Sequence, residues 1–231
     1  MQLTLNSRFA GNIYIIQCAG RIVLGPEAMA LEAALNQAAE LTFNRFVLSL
    51  AEVDRLDSIG MGLVVRFAER LRRRGGDIRL AAPPPFLAKL LDITHLSNAI
   101  LSFPTEDDAI LSYLRQPAPQ DAPASTGPRV LFVDESADLC VFVRTVLGQY
   151  GFDVYSACLL RDARLLLQVE GTDYILAGPG TFQRPAHTVL AALTPLAPKA
   201  VAISLDDNFK TLDAEQAAAE LLQIFKPQVS A

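Results

Sequence analysis

Residues 116–127 read Gln-Pro-Ala-Pro-Gln-Asp-Ala-Pro-Ala-Ser-Thr-Gly, with three prolines and no apolar periodicity. Such a stretch forms neither a helix nor a strand interior and reads as a semi-extended linker. Two domains are therefore the better reading than a single core through the whole chain. At about 150 residues per ordinary domain, the 231 residues divide into a domain over 1–115, the linker, and a domain over 128–231. Each is long enough to bury a core of its own. Charge divides unevenly: residues 1–115 hold 12 basic and 12 acidic side chains, residues 116–231 hold 8 and 13. The C-terminal half thus supplies the whole net charge of −5.

Several function classes fall away on composition. A chain that is 51% hydrophobic and 19% charged is too apolar to be disordered throughout. No run reaches the about 18 apolar residues of a membrane span; the longest, Val189 to Leu205, is broken by Pro195, Pro198 and Lys199. Met1 to Phe9 lacks the order of a signal peptide. Cys18, Cys140 and Cys158 lie in apolar stretches, as expected of buried free thiols in a reducing cytoplasm. His95 and His187 stand far apart, and no Cys/His spacing suits zinc. An acidic balance without a basic patch argues against nucleic acid. The expectation is a cytoplasmic protein without metal, cofactor, membrane or nucleic-acid partner.

The N-terminal half alternates strand and helix patterns. Strands are expected at Leu3–Arg8 and Ile13–Ala19 around a Gly11-Asn12 turn, then at Phe46–Leu50, Ile78–Ala82 and Ala99–Phe103. Helices are expected at Pro26–Ala39, with Met29, Leu31, Ala34, Leu35 and Ala38 on the apolar face, and at Ile59–Arg74, Pro84–Leu91 and Glu106–Leu114. Gly75-Gly76 closes the long helix, and Thr105 caps the last. Arg70 to Arg74 read as a solvated helix end.

Between the third strand and the long helix lies Asp57-Ser58-Ile59-Gly60-Met61-Gly62. A serine here stands among unpaired helix amides, where negative charge is favoured by about 0.3–1 kcal/mol. A phosphate added there brings about −1.5 to −2 charges that a helix start accepts. Gly60 and Gly62 would let another protein approach closely. The plainer reading makes Asp57 and Ser58 helix caps and the glycines a packing device. With Gly20-Arg21-Ile22-Val23, Gly75-Gly76 and Leu90-Leu91-Asp92-Ile93-Thr94-His95-Leu96 in order, residues 1–115 resemble the STAS domain of bacterial anti-sigma factor antagonists. The resemblance implies a mixed sheet with helices and a phosphorylated serine after the motif aspartate. That serine is Ser58, with Asp57 as its orienting neighbour and Ile59, Gly60, Met61 and Gly62 completing a switch surface. Ile59 stands where the family often has Ser or Thr, so Ser58 is the one acceptor. The implied partners are a serine kinase that is also the anti-sigma factor, and a phosphatase.

In the C-terminal half, strands are expected at Arg129–Val133, Phe152–Ser156, Asp173–Ala177, Ala200–Ser204 and Ile224–Pro227. The first is followed by a helix bearing Leu139, Val143, Val146 and Leu147, and the second by a helix at Leu160–Val169. This alternation implies a doubly wound parallel sheet. Residues 129–227 resemble the receiver domain of response regulators, a flavodoxin-like fold. Asp134 and Glu135 correspond to its acidic pair, Ser204 to its Ser/Thr, and Lys226-Pro227 to its Lys-Pro. Where the phospho-acceptor aspartate belongs, the chain reads Ala177-Gly178-Pro179-Gly180. The resemblance then implies a pseudo-receiver with no acyl phosphate and no working magnesium site, its pocket reduced to Asp134, Glu135, Gly178, Ser204 and Lys226. With only four residues after Pro227, the receiver's last helix is expected to be missing. The apolar face it would leave points to docking, by an interdomain contact or a homodimer.

Two functions follow. One is a signalling regulator switched at Ser58; the other is a constitutive scaffold in which Ser58 is only a cap. An enzyme would need a nucleophile–base pair or a metal centre, and none is visible. Gly178-Pro179-Gly180 is too short to cradle a phosphate, and His187 reads as a surface residue.

Overall fold

The structure is a computed structural model; it describes residues 2–40, 43–93, 100–116, 127–179 and 184–229. Most of the linker, Thr94, His95, Leu96, Ala99 and Gly180 lie outside the described residues. The chain falls into two compact units. One holds Met1–Arg8 and Asn12–Gln116; the other holds Pro117–Ala231, with Phe9–Gly11 counted to it.

The N-terminal unit runs β1 (Thr4–Ala10), β2 (Ile13–Ile22), α1 (Pro26–Glu40), β3 (Arg45–Leu56), α2 (Ser58–Arg72), β4 (Asp77–Ala81), α3 (Pro85–Ile93), β5 (Ser102–Phe103) and α4 (Glu106–Leu114). Its strands lie in the order β5-β4-β3-β2-β1. β2 through β5 pair in parallel. β1 reaches β2 through two residues, a connection only antiparallel neighbours can make, so the sheet is mixed. The expected strand at Phe46–Leu50 is longer than its apolar run: it continues through Glu52, Asp54 and Arg55 to Leu56, burying Val53 and Leu56. Met29 is no core residue. It is 71% exposed, because α1 buries Ala28, Leu31, Leu35, Ala38 and Ala39 instead.

α2 ends as the paired glycines suggested. Gly75 takes φ 74°, its N–H donates to Arg72, and the Gly76 N–H reaches back to Leu71. These are the two bonds of a Schellman motif, which needs a left-handed residue where Gly75 stands. The arginines nearby are tied to their own unit: Arg70 donates to Asn36 at 2.9 Å, and Arg74 donates to the Ala39 carbonyl. Buried charge appears in two places the sequence did not flag. Arg8 pairs with Glu106. Arg79 donates to Ser112 and Gln116 and lies 3.5 Å from the centre of the Tyr113 ring, so a π face and polar acceptors compensate a desolvated cation.

The C-terminal unit runs β6 (Arg129–Val133), α5 (Ala137–Gln149), β7 (Asp153–Ala157), α6 (Leu160–Val169), β8 (Tyr174–Ala177), α7 (Ala186–Leu193), β9 (Val201–Ser204) and α8 (Ala214–Val229). The strands are parallel, in the order β7-β6-β8-β9. The expected fifth strand at Ile224–Pro227 is a helix, and the final helix expected to be missing is present as α8. Its start is a capping box: Gln216 N–H donates to Asp213 Oδ1 at 2.8 Å and Asp213 N–H to Gln216 Oε1 at 3.3 Å. Ala217, Leu221 and Phe225, four residues apart, form its buried face, and Phe225 packs on the rings of Phe152 and Tyr174. Lys226 therefore lies in a helix, not at a strand end.

Candidate functional site

β2 and β3 run side by side to their C-terminal ends, where Ile22 pairs with Leu56. Register shifts between Gln17 and Ala19 and between Gly20 and Arg21 interrupt the ladder, and Gly20 takes φ 97°. The chain then turns into α2, with the Asp57 N–H donating to the Ile22 carbonyl at 3.1 Å.

Asp57 is the N-cap of α2. Its Oδ1 accepts from the N–H groups of Ile59 at 3.0 Å and Gly60 at 2.9 Å, and its Oδ2 accepts from Leu24 N–H at 2.8 Å. One carboxylate thus satisfies two orphan helix donors and fastens the β2–α1 loop to the β3–α2 loop. The bonds from Gly60, Leu24 and Ile59, together with the nearby Arg55 charge, hold the Asp57 carboxyl below the usual range.

With capping done by its neighbour, Ser58 is the first residue of α2 and is exposed. No acidic side chain occupies the first turn of α2, so the positive helix end is met by the Asp57 cap. The rest of the expected switch surface separates. Ile59 is 43% exposed, whereas Gly60 and Met61 are buried and Gly62 is half-buried. A Cβ on Gly60 would stand 2.6 Å from Ile22 Cγ2 and 2.9 Å from the Ile22 carbonyl oxygen. That glycine lets α2 press on the end of β2 and does not open a path for a partner.

Two further exposed apolar residues lie in and after the β2–α1 loop, one of them, Met29, expected on the apolar face of α1. Leu24 is 74% exposed, and its N–H is the one held by Asp57. Met29 is the other, near the start of α1. The signal for Leu24 was its place between strand and Pro26, where neither sheet nor helix can cover it.

The C-terminal unit arranges its acids differently. Asp134 follows β6 and is 3% exposed. Its Oδ1 accepts from Ser136 N–H at 2.8 Å, and Ser136 caps α5 by accepting from Leu139 N–H at 3.2 Å. Gly178, after β8, lies against it: a Cβ there would overlap Asp134 Oδ2 and stand 2.7 Å from Asp134 Cβ. Glu135 is exposed. Ser204 ends β9, exposed, in register with Ala177. Of the expected pocket residues, the fold brings Asp134 and Gly178 into contact, while Lys226 belongs to α8.

The three cysteines are buried thiols outside any disulfide. Burial pushes the Cys18 thiol up to about 12. The Cys140 thiol, 4.0 Å from that of Cys158, is raised by their mutual hydrogen bond and by burial. Such thiols are inert as nucleophiles. His187 is exposed on α7. Among the described residues, no group of three His, Cys, Asp or Glu could hold a metal ion, and no helix is long and apolar enough to cross a membrane.

The N-terminal unit is thus a small mixed-sheet α/β domain that presents a serine at the start of its second helix. Comparison with protein families matches residues 4–109 to the STAS domain. The N-terminal part of this chain is a STAS domain. No curated protein matches the chain. Among solved structures, an anti-sigma factor antagonist from Mycobacterium paratuberculosis is similar at 22% identity and TM-score 0.45, over 48% of this chain and 93% of that one. The anti-sigma factor antagonist SpoIIAA in its unphosphorylated form is similar at 17% identity and TM-score 0.39, over 50% of this chain and 99% of that one. The Bacillus cell fate determinant SpoIIAA in the phosphorylated form gives 19% identity and TM-score 0.41, over 48% and 99%.

Proposed function

We propose that the chain is a partner-switching regulator of the anti-sigma factor antagonist type, controlled by phosphorylation of Ser58. The observation that carries this reading is the division of labour at the start of α2. Asp57 takes the cap and the loop contact, so the exposed Ser58 hydroxyl has no structural duty to give up. A phosphate on Ser58 gains the field of the helix end, while the exposed Leu24 and Ile59 supply apolar contact for a partner. The same charge placed in that interface is desolvated against apolar surface. A penalty of about 3–4 kcal/mol would weaken a micromolar complex several-hundredfold. The partners are a serine kinase that is also the anti-sigma factor, and a phosphatase.

The C-terminal unit acts in this reading as a receiver-type domain that no longer accepts phosphate. Four parallel strands with Asp134 after the first support it, as does Gly178 standing where an acceptor carboxylate is needed. Among the described residues no fifth strand follows β9, which marks its departure from that type. Acetyl phosphate should leave its mass unchanged; a stable or acid-labile phosphate on this unit would overturn the assignment.

A constitutive scaffold is the second reading, and it is favoured by the finding that Asp57 and Gly60 both have packing roles. The two separate in a pull-down of the cognate kinase with Ser58→Ala and Ser58→Asp. A switch retains the partner with the first and loses it with the second, and a scaffold retains it with both.

A further inference from the structure

β9 is the outer strand of the C-terminal sheet, paired in parallel with β8 from Tyr174 with Val201 to Ala177 with Ser204. Strands of a parallel sheet are ordinarily covered on both faces, and every residue of β8 is buried. β9 differs. Val201 is 53% exposed, Ala202 and Ser204 are exposed, and Ile203 is half-buried. Among the described residues, β8 is its one neighbour in the sheet. The helix that follows, α8, is placed elsewhere, with Phe225 on the rings of Phe152 and Tyr174.

Two bonds fix the direction of its backbone groups. Val201 N–H donates to the Asp173 carbonyl at 2.8 Å, and Leu205 N–H donates to the Ala177 carbonyl at 2.9 Å. Backbone polar groups alternate sides along a strand, so Ala202 and Ser204 turn their N–H and C=O groups outward. An edge is ordinarily guarded by a charged side chain, a proline or a bulge. Val201-Ala202-Ile203-Ser204 has no charge and no proline, and its register with β8 is unbroken. Charge stands at the two ends instead, with exposed Lys199 before the strand and exposed Asp206 and Asp207 after it. A second β9 turned end for end brings its acids to this lysine and its lysine to these acids. A copy of the same edge therefore fits it in both hydrogen bonding and charge.

We propose that β9 is a homodimer interface, in which two copies of the chain pair their β9 strands antiparallel about a twofold axis at Ile203. Ala202 of each copy exchanges both backbone bonds with Ser204 of the other, and Ile203 faces its own copy as the non-hydrogen-bonded pair. Such an interface is small, so the dimer is weak and forms as concentration rises. The surface is separate from Ser58, and its success or failure leaves the switch reading untouched.

The test uses the full chain. Sedimentation equilibrium from about 10 to about 500 µM is expected to carry the mean mass from the chain's 25.0 kDa toward twice that value. Ala202→Pro removes an outward N–H and spares the bonds to β8. It should weaken the dimer about tenfold or more, with the circular dichroism spectrum unchanged. Lys199→Glu should weaken it too, and adding Asp207→Lys should recover part of that loss. Ile203→Cys, oxidised with copper phenanthroline, is expected to cross-link the dimer, because facing Cα atoms at such a pair lie about 4.5 Å apart, within disulfide reach. Val201→Cys, about 13 Å from its copy along the paired strands, should not. Three results overturn the proposal: a chain that stays monomeric throughout, a dimer that Ala202→Pro leaves intact, or cross-linking at Val201→Cys and not at Ile203→Cys.

Discussion

Both units place an aspartate directly after a parallel strand and start a helix from it, yet they spend that aspartate differently. In the N-terminal unit Asp57 is half-exposed and all its accepted bonds come from backbone, which leaves Ser58 outside the framework. In the C-terminal unit Asp134 is buried, bonded to Ser136, and closed over by Gly178. One helix start holds itself together with a residue to spare; the other has turned its acidic residue inward. On the proposed reading, a residue that the fold does not need is the one open to modification, and one that is packed in is not.

Substitutions at the two starts should rank by how much of the framework they touch. Gly178→Ala drives a methyl into the Asp134 carboxylate and is expected to cost about 3 kcal/mol, seen as faster hydrogen exchange across β6 and β8. Adding Asp134→Ala should recover part of that loss, and additive losses would show that the contact is not the cause. Gly60→Ala, against Ile22, is expected to cost about 2 kcal/mol, measured by urea unfolding followed by circular dichroism.

Asp57→Ala removes one cap and is expected to cost about 1 kcal/mol. It should also alter the pH response. The folded Asp57 carboxyl titrates below the unfolded value of about 3.9, so its contribution is full above that value and fades as pH falls through the lower folded one. The stability gap between wild type and Asp57→Ala should therefore be constant from pH 7 to 5 and shrink below pH 4. A gap unchanged at pH 3 would contradict the capping account. Ser58→Ala is the smallest, within about 0.5 kcal/mol of wild type in the same urea series. A loss above about 1 kcal/mol would give the serine a structural role.

Much of this layout was legible because local signals and packing agreed. α4 matches its expected bounds, since Thr105 announces its start and Ala109, Ile110 and Tyr113 bury one face. β6 and α6 match for the same reason. α8 was misread where a two-residue match, Lys226-Pro227, outweighed a capping box at Asp213-Gln216 and an Ala-rich run with apolar residues every fourth place. Local propensity was the better guide there. At the candidate site, Ser58 and its position were visible in sequence. That Asp57 would reach across to Leu24, or that Gly60 would be buried against Ile22, depends on contacts 33 and 38 residues apart along the chain. No periodicity reports such contacts.

The most direct test of the switch is phosphate incorporation from ATP by the cognate serine kinase, with the modified residue mapped by mass spectrometry in wild type and Ser58→Ala. One phosphate per chain, located at Ser58 and absent from Ser58→Ala, is the predicted result. Equal incorporation in both proteins, or a phosphate mapped elsewhere, would contradict it.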